Sequence, residues 1–211
     1  MYIKVFVEPN DYIEAFSKGE AVKIILKRFS FDQLGEVYLV LGQILISQKM
    51  EAYQQLAQAA LKELVQNAIK ATRKRIFYIQ SGIDLVKEHD KGLEKFRDSF
   101  AETMPDEFTI EGHADFTAEV TFQLINKSIL IMVKNQGVMT REEVRNVDFM
   151  LERGRKFSQV AEILTDEVKT REGGGLGLSM LVILMKNMGL PVENLYYKVH
   201  EKETVFFLKL N

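Results

Sequence analysis

The chain has 211 residues, 46% of them hydrophobic and only three proline, so it can bury a substantial core and fold as one generous domain or one and a half. Its 28 basic and 30 acidic side chains nearly cancel to a formal charge of -2, which leaves no basic field of the kind that coats nucleic acid or holds a membrane surface. The absence of cysteine excludes disulfide scaffolding, thiol catalysis and thiolate metal sites, and makes the cytoplasm the expected compartment.

At the start of the chain Ile3, Val5 and Val7 alternate with Tyr2, Lys4 and Phe6, and charge comes early, unlike a signal peptide. No segment offers about 18 uncharged apolar residues, so no membrane insertion is expected. Residues 21–31 are rich in β-branched and aromatic side chains, and the first 31 residues read as strands flanking a short segment at 11–18. From Asp32 the pattern turns helical despite Gly35 and Gly42, and over 50–73 it is strongly so, with Tyr53, Ala57, Ala60, Leu61, Leu64 and Ala68 on one face. A second, charged helical stretch follows at 82–103 and stops before Pro105.

The period then changes. Ala118, Val120, Phe122 and Leu124 alternate with polar residues as a half-buried strand, Asn126-Lys127-Ser128 turns the chain, and residues 129–133 read as a buried neighbour. Residues 140–172 are dense in charge and thin in large apolar groups, which predicts a mobile segment with little core of its own. The stretch 176–187 is a helix apolar nearly all round and so packed on several sides. Residues 195–199 and 204–210 form a closing hairpin.

Three places carry candidate chemistry. Glu63, Asn67 and Lys70 stand at i, i+4 and i+7, which at about 100° per residue puts a carboxylate, an amide and an ammonium on one stripe beside the apolar face. That trio suits a general base, a ligand for a hard cation such as Mg²⁺, and a phosphate contact; the same spacing also describes an ordinary solvated face. At the end of the second strand, Asn135-Gln136-Gly137 offers an amide for an exocyclic amine and a bare backbone that a ring can approach, or simply a turn. Gly173, Gly174, Gly175, Leu176, Gly177 and Leu178 run into the last helix, as a phosphate loop does and as hinges and close-packed helix starts also do.

In this order and spacing, 62–70, 131–139, 173–178 and the closing strand 204–210 resemble the asparagine box, the two glycine boxes and the terminal strand of the GHKL ATPases, the group of gyrase, the heat-shock chaperone, histidine kinases and MutL. The resemblance spans about 50–211, leaving 1–49 as an N-terminal, β-containing extension suited to homodimerisation or docking. It implies an α/β two-layer sandwich, the Bergerat fold, with helices over a mixed, mostly antiparallel sheet and ATP with Mg²⁺ bound beneath a lid. By the same resemblance Asn67 would ligate Mg²⁺, Lys70 would meet phosphate, and Glu63 would be the general base or its kinase counterpart. Gly173, Gly175 and Gly177 would admit the phosphates, Thr204 would support the adenine pocket, and 140–172 would be the lid, with Arg153, Arg155 and Lys156 as its phosphate contacts. Two positions depart: Asn135 stands where the family has Asp, and Met139 where it has the second Gly of that box, which alters the adenine end.

None of His89, His113 and His200 precedes the asparagine box, where a histidine kinase carries its phosphoacceptor. The resemblance therefore implies a domain acting in trans on a separate signalling protein. A catalytically silent binding module is the alternative. An ATP-gated clamp like MutL ranks last, for want of a transducer domain and a DNA-binding patch.

Overall fold

The computed structural model describes residues 9–26, 28–29, 31–84, 92, 94–96, 108–109, 118–165 and 176–211. In chain order these form α1 (Pro9–Ser17), β1 (Val22–Leu26), β2 (Arg28–Phe29), α2 (Phe31–Ser47), α3 (Gln54–Ser81), β3 (Phe108–Thr109), β4 (Ala118–Ile125) and β5 (Ser128–Gln136). After them come α4 (Arg141–Lys156), α5 (Val160–Thr165), α6 (Leu176–Asn187), β6 (Leu195–Val199) and β7 (Glu203–Leu210). The chain is an α/β sandwich, with helices over a five-stranded sheet of order β1-β4-β5-β7-β6.

Every pairing in that sheet is antiparallel, where a mixed, mostly antiparallel sheet was expected. Two of the pairs, β4–β5 and β6–β7, are hairpins; β4 and β5 meet at Asn126 and Lys127, both at positive φ, the backbone a two-residue hairpin turn requires. Period-two alternation then sends Val120, Phe122, Ile131, Val133, Phe206 and Leu208 into the core under α3. On the opposite face polar residues link the strands by ion pairs, Lys23 to Glu119 at 3.6 Å and Glu119 to Lys134 at 3.5 Å.

The first part of the chain has the strand expected within 21–31, and its short segment at 11–18 is helical. Residues 9–17 are the helix α1, whose Tyr12 and Phe16 are buried in the core, and 22–26 are the edge strand paired with β4. Val37, Leu41 and Ile44 of α2 belong to the same core cluster as Leu61 and Phe122, so residues before 50 share the sheet and core of the rest. The strand expected at 1–8 lies outside the described residues, as does most of the helical stretch expected at 82–103. No described helix is long and apolar enough to cross a membrane.

The expectation of a coreless mobile segment over 140–172 is overturned through residue 165. Thr140 and Glu143 close a reciprocal capping box that starts α4, and Met150, Leu151 and Ile163 are buried. Charge density misled here because α4 buries a narrow stripe of mixed residues against α6 rather than a broad apolar face. Ser179 on α6 donates to the Met150 carbonyl at 2.7 Å, and Lys186 donates to the Arg155 and Phe157 carbonyls that end α4. Asp148 accepts from the Tyr197 hydroxyl at 2.7 Å, tying α4 to β6; burial, that bond and the carboxylate's charge push the phenol's pKa up to about 12.

Gly154 lets the two helices touch. A Cβ there would lie 2.6 Å from both the Ser179 carbonyl oxygen and Val182 Cβ. Gly154→Val is expected to push α4 off α6 and cost about 1–3 kcal/mol, read as a lower urea midpoint at unchanged slope. A midpoint equal to that of the parent chain would sink this packing account.

Candidate functional site

The continuous helix α3 sets one wall of the site. Its apolar face, including Leu61, Leu64 and Ala68, is held against β4 and β5, so the adjacent stripe looks along the sheet's end toward α4 and α6. Glu63 and Asn67 are half-buried there and Lys70 is exposed at the rim. The Asn67 amide Nδ2 donates to Glu63 Oε1 at 2.8 Å, which fixes the orientation of the amide and leaves its oxygen to act as an acceptor.

The ends of β5 and β7 form the floor. Asn135 is buried and stands opposite Thr204 in the antiparallel register. The Thr204 hydroxyl donates to the Gly137 carbonyl at 3.0 Å, and the Gly137 amide donates to the Lys202 carbonyl at 2.8 Å, so this turn is clasped by the closing hairpin. Gly137 has φ +111°, a conformation that side chains other than glycine rarely adopt. Asn135 Nδ2 donates to the neighbouring Gln136 carbonyl at 3.2 Å.

The first turn of α6 completes the site. A Cβ on Gly177 would collide with the Glu63 carboxylate, so glycine at this position is what lets α3's acid reach the start of α6. Leu176 opens α6, and Leu178 faces the cavity; Gly173, Gly174 and Gly175 lie outside the described residues.

These walls enclose a cavity of about 150 Å³. Of the residues singled out from sequence, Glu63, Asn67, Lys70, Asn135, Met139, Leu178 and Thr204 all line it. The three lid cations do not. Arg153 is buried and donates to the Ile163 carbonyl at 2.9 Å, holding α5; Arg155 pairs with Glu152 at 3.1 Å; the Lys156 ammonium sits over the Phe157 ring. Of the histidines, His200 is exposed in the β6–β7 turn and the other two lie outside the described residues. Among the described residues no group of three or more His, Asp or Glu could hold a metal by itself.

Lys74, Arg75 and Glu143 also line the cavity, and the sequence reading missed all three. It ended the helix at Arg73, whereas α3 continues for two more turns to Gly82, whose left-handed conformation and amide bonds to the Tyr78 and Ile79 carbonyls terminate it. The extension carries Lys74 and Arg75, each about 5% exposed, onto the pocket wall. Lys74 continues the stripe of Asn67 and Lys70 at i+7 and i+4, and Thr140-x-x-Glu143 is a capping-box signature; both signals are legible in the sequence.

Glu143 is the hub of the group. It accepts from Lys74 at 2.5 Å, from Arg75 at 3.0 Å and from the Thr140 amide at 2.8 Å. Burial alone would push its carboxyl's pKa up, but the two cations and the hydrogen bonds outweigh that and hold it below the ordinary range, so it is ionised at neutral pH.

No protein-family model matches the chain, and no solved structure matches it. It is similar to a protein of Treponema pallidum (strain Nichols), described only as an uncharacterized protein, with 30% identity over 145 residues. That match takes in 68% of this chain and 28% of the Treponema protein, so this chain corresponds to less than a third of its relative's length.

Proposed function

We propose that the chain is a GHKL-type, histidine-kinase-like domain of the Bergerat fold that binds ATP with Mg²⁺ and acts on a separate signalling protein in trans. One observation carries this reading. Residues drawn from α3, β5, α6 and β7, which the resemblance assigns to one nucleotide site, line a single cavity: Glu63, Asn67, Asn135, Leu178 and Thr204.

The donor set suits the cofactor. Mg²⁺ keeps most of its ligands as water and phosphate oxygen and asks the protein for one or two hard oxygens. Asn67 would supply its amide oxygen, with Glu63 fixing the amide's orientation. Lys70 at the rim, Gly177 and the start of α6 would meet the phosphates. When bound, the metal would neutralise phosphate charge; Glu63 would orient and deprotonate the acceptor group.

Calorimetry on the whole chain tests this. Mg²⁺-ATP is expected to bind, and Asn67→Ala to weaken it at least about tenfold, or ~1.4 kcal/mol. Absence of binding for ATP, ADP and GTP with Mg²⁺ in excess would overturn the proposal.

A second reading, a silent binding module, draws on the base end of the cavity. There Asn135 lacks the charge of the family's acid, and the Arg75 side chain lies against Gly137 in the space a ring would take. Binding without turnover would favour it.

A further inference from the structure

The Arg75 guanidinium has no role in the proposed chemistry, yet it is one of the most completely enclosed charges in the cavity. It bridges α3 to the turn before α4, donating to the Ala71 carbonyl at 2.8 Å, the Val138 carbonyl at 2.6 Å and Glu143 at 3.0 Å. Its stem and Nε lie directly over Gly137, so close that a Cβ on that glycine would collide with them. The bare backbone that could admit a planar ring is already covered.

We infer that Arg75 is a built-in occupant of the base end, a latch that a nucleotide must displace to enter. This rests on the nucleotide reading of the cavity. Two features make the latch releasable rather than a fixed part of the core. Its buried Nε has no hydrogen-bond partner, so the enclosed guanidinium is one acceptor short and gains less from burial than a fully satisfied one. Glu143 is shared by two cations, and with Arg75 gone it keeps Lys74 at 2.5 Å, so departure of the guanidinium does not strand a buried carboxylate.

The latch also reports. Glu143 holds Arg75 and at the same time accepts from the Thr140 amide at the N-terminus of α4. Opening the base end therefore perturbs the first turn of the helix that packs over the site, which links occupancy of the cavity to the position of α4. A site that is competent only in its open fraction binds with an affinity reduced by that fraction.

Titration of the full chain with Mg²⁺ and a fluorescent ATP analogue decides the matter. R75A is expected to bind at least about tenfold more tightly than the parent chain, because the open form no longer competes with an internal occupant. R75M, which keeps the bulk but loses the bonds that hold the side chain over Gly137, is expected to bind with an affinity between those of the parent and R75A. Binding by the parent with equal or weaker binding by R75A would overturn the latch and leave the nucleotide reading standing, since Arg75 would then be a ligand contact or a bystander. Weaker binding by R75M than by the parent would also overturn it, by showing that the guanidinium favours nucleotide binding instead of opposing it. If neither the parent nor R75A binds any nucleotide, the nucleotide reading falls and the latch with it. Binding by R75A alone supports both. Should R75A melt at the temperature of assay, E143Q carries the test: it keeps the shape and weakens the hold on the guanidinium, and affinity must rise, whereas no change or a loss overturns the latch.

Discussion

Glu143→Ala is expected to lower the free energy of unfolding by about 3–5 kcal/mol, the largest effect of any single substitution in the site. The reason is what it leaves behind. Lys74 and Arg75 are both buried on α3, and their charges are balanced by this carboxylate. Removing it takes the balancing negative charge and a shared acceptor away from two buried cations, which costs more than the pair's own attraction contributes. It also removes half of the capping box at the start of α4. Glu143→Gln keeps the shape and part of the cap, so its loss is expected to be smaller. The two variants separate charge from packing in a denaturant titration, and equal midpoints for Glu143→Ala and the parent chain would refute the account.

The same group predicts a pH dependence. Its folded-state pKa is depressed below the ordinary value of 4.5, so its contribution to stability is fully present above that value and is lost as pH falls through the depressed one. Acid protonates Glu143 and so removes the negative charge that faces Lys74 and Arg75. Stability measured below the ordinary carboxylate range should fall more steeply in the parent chain than in Glu143→Gln.

Glu63→Gln is expected to lower nucleotide turnover by about 10²–10⁴-fold while leaving Mg²⁺-ATP binding within about threefold. The amide oxygen of glutamine can still accept from Asn67 Nδ2, so the bond that orients the Asn67 amide, the proposed Mg²⁺ ligand, survives. Its close approach to Gly177 survives as well, because the side chains have the same shape. What disappears is the capacity to take a proton. Binding and turnover both unchanged would remove Glu63 from the chemistry and favour the silent module.

Much of this site was legible from local pattern. A helix of 3.6-residue period dictates that Glu63, Asn67 and Lys70 share a stripe beside Leu64 and Ala68, whatever the helix packs against. The alternation around Val120 and Ile131 likewise dictates two strands, with Asn126 and Lys127 between them supplying the turn. Residues 176–187 were readable as a helix buried on several sides because no polar face interrupts them. The failures share one cause. The helix read over 50–73 stopped short of Lys74 and Arg75, and 140–172 read as having little core, because hydrophobic patterning treats every charge as exposed. Burial of Lys74 and Arg75 depends on Glu143, 68 residues from Arg75, and no local rule can supply that partner.

The opening residues were legible in part. The strand expected within 21–31 is present at 22–26, whereas the short segment at 11–18, given no structure of its own, falls in a helix at 9–17 that packs Tyr12 and Phe16 into a core built from residues far along the chain.

By itself, then, the sequence determined the stripe on α3, the hairpin strands and the apolar last helix, since each follows from periodicity within one segment. Only the tertiary structure decided that β1 joins the same sheet, that α4 is packed rather than loose, and that Arg75 covers Gly137. Each of those depends on which distant charge or surface is brought alongside, and burial free energy is a property of that assembled neighbourhood.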